Sequence, residues 1–417
     1  MRAPLVAAAL AAGALVAACT QDVSAPGSCP AFCPAHGVTL VDTVLPLVQR
    51  DSSFRGYVQP YEASQLLAAT LPSVDSRPIF VLNGFPPRRL VGTDTTTGLI
   101  TGVDSLVMRL FIERRDTAAH NLTLRLYRMP KTIDSTTGFA DVAAAFTDSL
   151  FHSINVDSVY ALAGHIDPAT GDSVSIDSTS QLTTVVIKLD SASVPYDSAD
   201  SGRTAMGLRV FADSAASIAL GAVESGLGPQ LSWFIKLDSL GTTIHAAVGV
   251  VRLAEFDGFV LNPPAPADTG LVVGGVPSAR SILRIPLPRG IRDSSQILRA
   301  TLLLIPRGPV SGVASDSFLL SAHAVEADFG AKSPIATDST RTATVEVHTG
   351  VTDTVRIELT RMLRFWAIDT LAPPALVLRQ FPEGGRLAGI AFHASGDSAF
   401  RPLVHITYAP RYPFGVP

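Results

Sequence analysis

Lysine is scarce in this 417-residue chain: of 32 basic residues only Lys131, Lys188, Lys236 and Lys332 are lysines. The arginine bias is expected of a GC-rich genome before any binding role. A formal net charge of −4 excludes the cationic footprint that nucleic acid requires, so none is expected as a partner. Charged residues make up only 16% against 47% apolar, which excludes a largely disordered, highly charged chain. Aromatics are 7%, thin for the interfacial girdles of a membrane barrel. The sequence contains no H-E-x-x-H, G-x-S-x-G, P-loop or Rossmann fingerprint, and its nine histidines are scattered singly. It therefore offers no catalytic constellation, and neither an enzymatic activity, a cofactor nor a metal is expected.

What is present begins at the N-terminus. Met1-Arg2 leads into an Ala/Leu/Val run ending at Ala18, too short for the roughly 20 residues of a spanning helix but suited to the apolar stretch of an export signal. The run closes on Leu15-Val16-Ala17-Ala18-Cys19, which resembles the bacterial lipobox. The resemblance implies that residues 1–18 are a signal peptide and that Cys19 carries the lipid, anchoring the protein without a transmembrane segment. Thr20 stands where an Asp signals inner-membrane retention in enterobacterial lipoproteins, so an outer-membrane location, facing the periplasm or the surface, is implied. Residues 19–37 are rich in Ser, Pro and Gly and form the expected tether. Within it, Cys29 and Cys33 are candidates for a small local disulfide in an oxidising compartment. With His36 nearby, a metal site is the alternative reading, though a tether lacks the supporting shell such sites need.

Beyond the tether, apolar residues alternate with period two, as in Thr123–Tyr127, Val185–Leu189 and Val355–Leu359, the pattern of half-buried strands. Helical periodicity is confined to Ser64–Ala69, Ala140–Phe151 and Thr360–Ala367. The pattern also repeats. Ser76–Leu82, Val103–Leu110, Thr184–Leu189, Gly207–Val210 and Gly228–Ile235 correspond to Ala279–Ile285, Ile297–Leu304, Thr354–Leu359, Ala375–Leu378 and Arg401–Tyr408. Two copies of one module are expected, over residues 38–262 and 270–417. The Pro-rich segment 263–269 is expected to act as a stiff linker between them.

The second copy resembles DNRLRE-type domains: Ala279-Arg280-Ser281-Ile282-Leu283-Arg284-Ile285 precedes Ala300-Thr301-Leu302-Leu303-Leu304, and Arg401–Tyr408 resembles that family's closing strand. The letters that name the family are absent, and Pro286 stands where an Asp is common. The resemblance implies an all-β fold of two tandem antiparallel β-sandwich, jelly-roll-like domains with few short helices. It further implies an extracellular protein of a kind sometimes used as a carbohydrate-binding module.

Several residues were weighed for chemistry. Recurrent Asp-Ser pairs suit turns and caps. Asp167, Asp172 and Asp177 are spaced by five and lack the form of a calcium loop. Glu113, Glu224, Glu326, Glu346, Glu358 and Glu383 share no local context. Trp233 and Trp366 lie among apolar residues and read as core, while His323 and His405, within alternating strands, read as satisfied structural histidines. Tyr57 and Tyr61, near Phe54 and Arg55, are candidates for exposed aromatic surface. Three function classes follow. The first is a non-catalytic envelope scaffold that binds another envelope protein. The second is an anchored polysaccharide-binding protein. The third is a transmembrane β-barrel, which the lipid anchor and the scarce aromatics disfavour.

Overall fold

The computed structural model describes residues 40–47, 51–72, 74–84, 88–90, 97–194, 196–239, 242–245, 250–262, 270–313, 316–328 and 336–411. Cys19, Cys29 and Cys33, like the segment 263–269, lie outside the described residues. The fold is all-β, with antiparallel sheets and a few short helices. Among the described residues no helix is long and apolar enough to cross a membrane.

The first part of the chain forms β1 (Val41–Pro46), β2 (Ser52–Arg55), β3 (Gln65–Thr70), β4 (Asp75–Leu82), β5 (Arg88–Leu90), β6 (Thr97–Arg115), β7 (Thr123–Arg128) and β8 (Leu150–Asn155). It continues with β9 (Ser173–Ile176), β10 (Thr183–Leu189), β11 (Thr204–Phe211), β12 (Ala216–Gly221), β13 (Gln230–Ser239) and β14 (Thr242–His245). The second part forms β15 (Val250–Asn262), β16 (Leu271–Gly274), β17 (Ala279–Arg284), β18 (Ser295–Leu304) and β19 (Ser317–Ala327). It ends with β20 (Ala336–His348), β21 (Val355–Glu358), β22 (Ala375–Phe381), β23 (Gly389–Phe392) and β24 (Leu403–Pro410).

The strand pairings repeat. Hairpin β3–β4 matches hairpin β16–β17, and β3–β12 matches β16–β23. The ladder β4–β11–β7–β8 matches β17–β22–β19–β20. β10–β6–β13 matches β21–β18–β24; in the first repeat these strands belong to one 13-stranded sheet with the ladder above, whereas in the second they form, with β1, a four-stranded sheet of their own.

One element breaks chain order. The strand that completes the first repeat, pairing with β13 through Val250–Leu253 and with β4 through Ala254–Asn262, is β15. The corresponding positions in the second repeat are taken by β1 on β24 and β2 on β17, from the start of the chain. Each repeat thus lends its leading segment to the other. Val250–Asn262 lies within the expected first module 38–262 and pairs with its strands, while Val41–Arg55, also within 38–262, pairs with strands of the second half of the chain. Alternating patterns within one strand cannot show this, because they specify a face and not a partner.

A second departure concerns Gln65–Thr70, where a helix is expected and β3 is found. Four successive residues of β3 are buried, so the run reads as continuously apolar, and periodicity alone does not separate a buried strand from a helix. The other two helical stretches do form helices, over Phe139–Val142 with Ala145–Asp148, and over Thr360–Ile368.

Burial follows the repeats. The core of the first gathers Leu66, Phe80, Leu106, Leu110, Ile187 and Trp233. In the second, β18, β21 and β24 share one core with β16, β19, β22 and β23, through Leu302, Ile357 and Ile406 against Val273, Leu320 and Leu378. Leu47, fully buried where the chain passes from β1 to β2, joins that core and donates its N–H to Pro402 O at 2.9 Å. The repeats also share surface. Val276 and Leu387 of the second pack into the core of the first, and Asp316 is held between Arg114 of β6 and Arg386.

Candidate functional site

The search for a site begins on the faces that the two cores leave outward. In the second repeat that face carries, along β22, Ala375, Val377, Arg379 and Phe381, with His323 and Ser321 on β19 and Arg280 and Ile282 on β17. The register sets Ser321 opposite Arg379, His323 opposite Val377, and Arg280 opposite Phe54 of β2. Ile282, Val325, Ala375 and Val377 form a small buried apolar cluster there, with Phe54 packed against it.

Polar groups gather beside this cluster. Arg280 makes a two-pronged ion pair with Glu383, both contacts at 2.7 Å, and Ser278 Oγ donates to the same carboxylate at 3.0 Å. Such paired donors match the carboxylate plane, and the geometry is well suited to a partly buried site. The Tyr57 ring lies 4.1 Å from the Arg280 guanidinium. One strand over, Arg379 Nε donates to His323 Nε2 at 2.9 Å, and Ser321 Oγ lies 2.8 Å from the same nitrogen. Nε2 is therefore the acceptor, which places the ring proton on Nδ1. Burial, reinforced by the Arg379 charge, pushes the His323 pKa down, so the imidazole is neutral at physiological pH. Burial also lowers the Arg379 pKa, and among the described residues its two terminal nitrogens make no bond. Phe381, 58% exposed, stands opposite the exposed Leu319 and extends the patch in an apolar direction.

This surface can offer a guanidinium, a ring face and hydrogen-bond donors. Ser321 Oγ does face His323 Nε2, but both side chains are buried and that nitrogen is shared with Arg379 Nε.

The equivalent face of the first repeat is closed. Arg77 stands at the strand position that Arg280 takes in β17, paired with Asp75, which also meets Arg209 at 3.4 Å. Over it lie the helices 139–142 and 145–148, with the Arg77 guanidinium 4.3 Å from the Phe139 ring and 4.9 Å from that of Phe146. Ile79, Val81, Tyr127, Met129 and Phe146 fill the space beneath that roof.

The remaining candidates are dispersed. Trp233 and Trp366 are buried in the two cores. Tyr57 and Tyr61 are half-buried; Tyr57 reaches the patch, and Tyr61 lines a separate cleft of about 210 Å³ with Phe256 and Pro277. Asp172 is buried, accepting from Lys188 N at 2.8 Å and pairing with His152 at 2.9 Å. Asp167 and Asp177 accept backbone N–H groups within their own turns. The three acids do not converge, and among the described residues no group of three or more metal-binding side chains is found. Of the glutamates, Glu383 alone joins the patch; Glu358 caps Thr360, and Glu113 accepts from Gln65 at 2.7 Å. His405 is exposed on β24. The Asp-Ser pairs divide: Asp190 and Asp397 cap turns, whereas Asp104 and Asp238 lie inside strands. Sequence reasoning missed Arg379 and named Glu383 without a partner, although the match of Arg77 with Arg280 between the repeats marks the strand position around which both faces are built.

No known protein family matches this chain, and no curated protein matches it.

Proposed function

We propose that this protein is a non-catalytic lipoprotein of the bacterial outer membrane, anchored through Cys19, that serves as a binding or structural scaffold of the cell envelope. In this reading the two repeats are jelly-roll-like sandwiches of the DNRLRE type. The observation that carries it is the reciprocal exchange of leading strands. β1, the first described strand, is paired along six residue positions with the last strand of the chain, so a pull from the N-terminal side falls on the sheet of the second repeat while the chain continues into the first. That arrangement suits an element that holds position and transmits load. The test is the anchor itself: globomycin, or Cys19→Ala, is expected to block lipid labelling and release the protein from the outer membrane. Unchanged membrane partitioning overturns the reading.

A second reading, an anchored polysaccharide-binding protein, is favoured by one observation: the exposed Phe381 ring on the same strand face as Arg379, near the Tyr57–Arg280–Glu383 stack. An aromatic face beside a guanidinium offers stacking and hydrogen bonding to a sugar at low entropic cost. Retardation in affinity gels containing acidic or neutral polysaccharides, lost on Phe381→Ser, is expected if this reading holds. No retardation across a broad panel excludes it.

A further inference from the structure

The cleft of about 210 Å³ beside Tyr61 is built from four stretches of chain that lie far apart in the sequence, and both repeats contribute to it. Tyr61 comes from the connection between β2 and β3, Asp134 from the start of the insertion between β7 and β8, Phe256 from β15, and Pro277 from the turn between β16 and β17. Backbone hydrogen bonds hold these stretches together. Gly56 N and Tyr57 N donate to Ser278 O at 2.9 and 3.3 Å, and Ser278 N donates to Val58 O at 3.2 Å, which ties the approach to Tyr61 to the turn that carries Pro277. Glu62 N closes the turn around Tyr61 by donating to Gln59 O at 2.9 Å. Gly258 of β15 also lines the cleft, and a Cβ placed on it would stand 3.2 Å from Tyr61 Cα, so the missing side chain is what lets Tyr61 settle against the strand. The concavity is therefore formed by the fold itself, as small-molecule sites usually are.

The lining is apolar apart from a few groups. Ile79 and Phe259 are buried, and Phe256 is half-buried, packed on the apolar cluster beneath the helical roof. Two of the polar side chains are already spent: Gln59 Nε2 donates to Gly56 O at 3.3 Å, and Thr137 Oγ1 accepts from Asp134 N at 2.9 Å. The Asp134 carboxylate is different. Its Oδ1 accepts the N–H and the hydroxyl of Thr136 at 2.8 and 2.7 Å, whereas among the described residues Oδ2 accepts nothing. The Thr136 hydroxyl, followed by its N–H, holds the carboxyl below the ordinary range, so the charge is present at physiological pH.

The cations of the surrounding segments do not neutralise that charge. Lys131 is paired with Asp200, Arg203 with Glu255, Arg77 with Asp75 and Arg280 with Glu383, while Arg55 donates to Pro277 O at 3.0 Å. Glu62, exposed and accepting from Gln59 N at 3.3 Å, adds a second negative group beside Tyr61. The cleft thus combines a fixed carboxylate, two aromatic side chains and proline walls with few hydrogen-bonding groups left to offer.

We propose that this cleft binds a small organic cation of the quaternary-ammonium kind, its alkyl groups against Tyr61, Phe256 and Pro277 and its charge toward Asp134. Such a cation has no N–H and asks for no hydrogen-bond acceptors; aromatic rings and a carboxylate satisfy both its apolar body and its charge. A neutral sugar of the same size asks for several aligned donors and acceptors, most of which are committed elsewhere here.

The test is calorimetric titration of the full-length protein with choline and, in parallel, with its neutral isostere in which carbon replaces the ammonium nitrogen. Saturable binding of choline, with the isostere binding more weakly, is expected. Asp134→Asn keeps an Oδ1 for Thr136, so its thermal melt should not move, while choline affinity should fall by about tenfold or more. Tyr61→Leu is expected to weaken choline as well. Glycerophosphocholine is titrated beside choline: binding of both admits a lipid headgroup as the source of the cation, and binding of choline alone points to a free solute. No saturable binding of choline, equal binding of choline and its isostere, or an unchanged affinity in Asp134→Asn overturns the proposal. None of these outcomes depends on Cys19, so the anchor reading stands or falls separately.

Discussion

The same strand position carries an arginine in both repeats, and its surroundings differ completely. Arg77 is enclosed between a carboxylate below and two phenyl rings above, under a helical insertion between β7 and β8. Arg280, with Glu383 and Tyr57, meets no such roof among the described residues, and the described residues of the hairpin β19–β20 include no helix. Two faces built on one plan have been assigned to different uses: the first is a second core, the third apolar cluster of the chain, while the second keeps a half-exposed guanidinium beside an exposed ring. A closed face stabilises; an open one is available to a partner.

The contrast is sharpened most strongly by truncating the rings. Phe146→Ala removes a buried side chain from beneath the roof and is expected to cost about 3–5 kcal/mol. Tyr57→Ala, which removes the ring that meets Arg280 from a different element, is expected to cost about 1 kcal/mol, the scale of a cation–π contact. Equal losses in chemical denaturation would break the comparison.

The exchanged strands differ as well. Asp257 of β15 is buried and accepts Val223 N–H at 2.9 Å, and burial, with Glu224 nearby, raises its pKa to about 6. The folded state therefore holds a proton that the unfolded chain releases near pH 4. Stability from this group is complete below that range and is lost as pH rises through about 6. Asp257→Asn keeps an acceptor for Val223 and is expected to stabilise the protein by roughly 2–3 kcal/mol at pH 8. The gain should vanish on acidification, as followed by thermal melts across pH. Asp51, at the matching bend between β1 and β2, is half-buried and accepts Ser395 N–H at 2.5 Å.

The smallest effect lies on the open face. Arg379→Ala removes both a cation and a donor from His323, so the imidazole pKa should rise, while global stability changes by no more than about 1 kcal/mol. Histidine ring signals in an NMR titration report the shift. An unmoved His323 would show that burial alone sets it.

Strands whose side chains alternate, such as β7, β10 and β21, were legible in the sequence because one face meets a core and the other meets water. The helix Thr360–Ile368 was legible for the same reason at a different period: Met362, Leu363 and Trp366 form one buried side. β3 was illegible because both its faces are covered. The patch was half legible. Arg280 repeats Arg77 in register, but its carboxylate partner lies 103 residues away, and nothing local in Pro382-Glu383-Gly384 marks that pairing. Exchange of leading strands was hidden altogether, since β1 and β15 carry the same kind of pattern and either would fit either repeat.

The pairing of β1 with β24 has a consequence in time. β1, the first of the described strands to be synthesised, finds its partner only when the last has followed it, so the second repeat's four-stranded sheet cannot be completed until almost the whole chain is made. The first repeat needs nothing beyond β15 and can close earlier. Folding is therefore ordered by topology: one repeat can form as the chain arrives, and the other waits, its opening strand unpaired, for the end of the message.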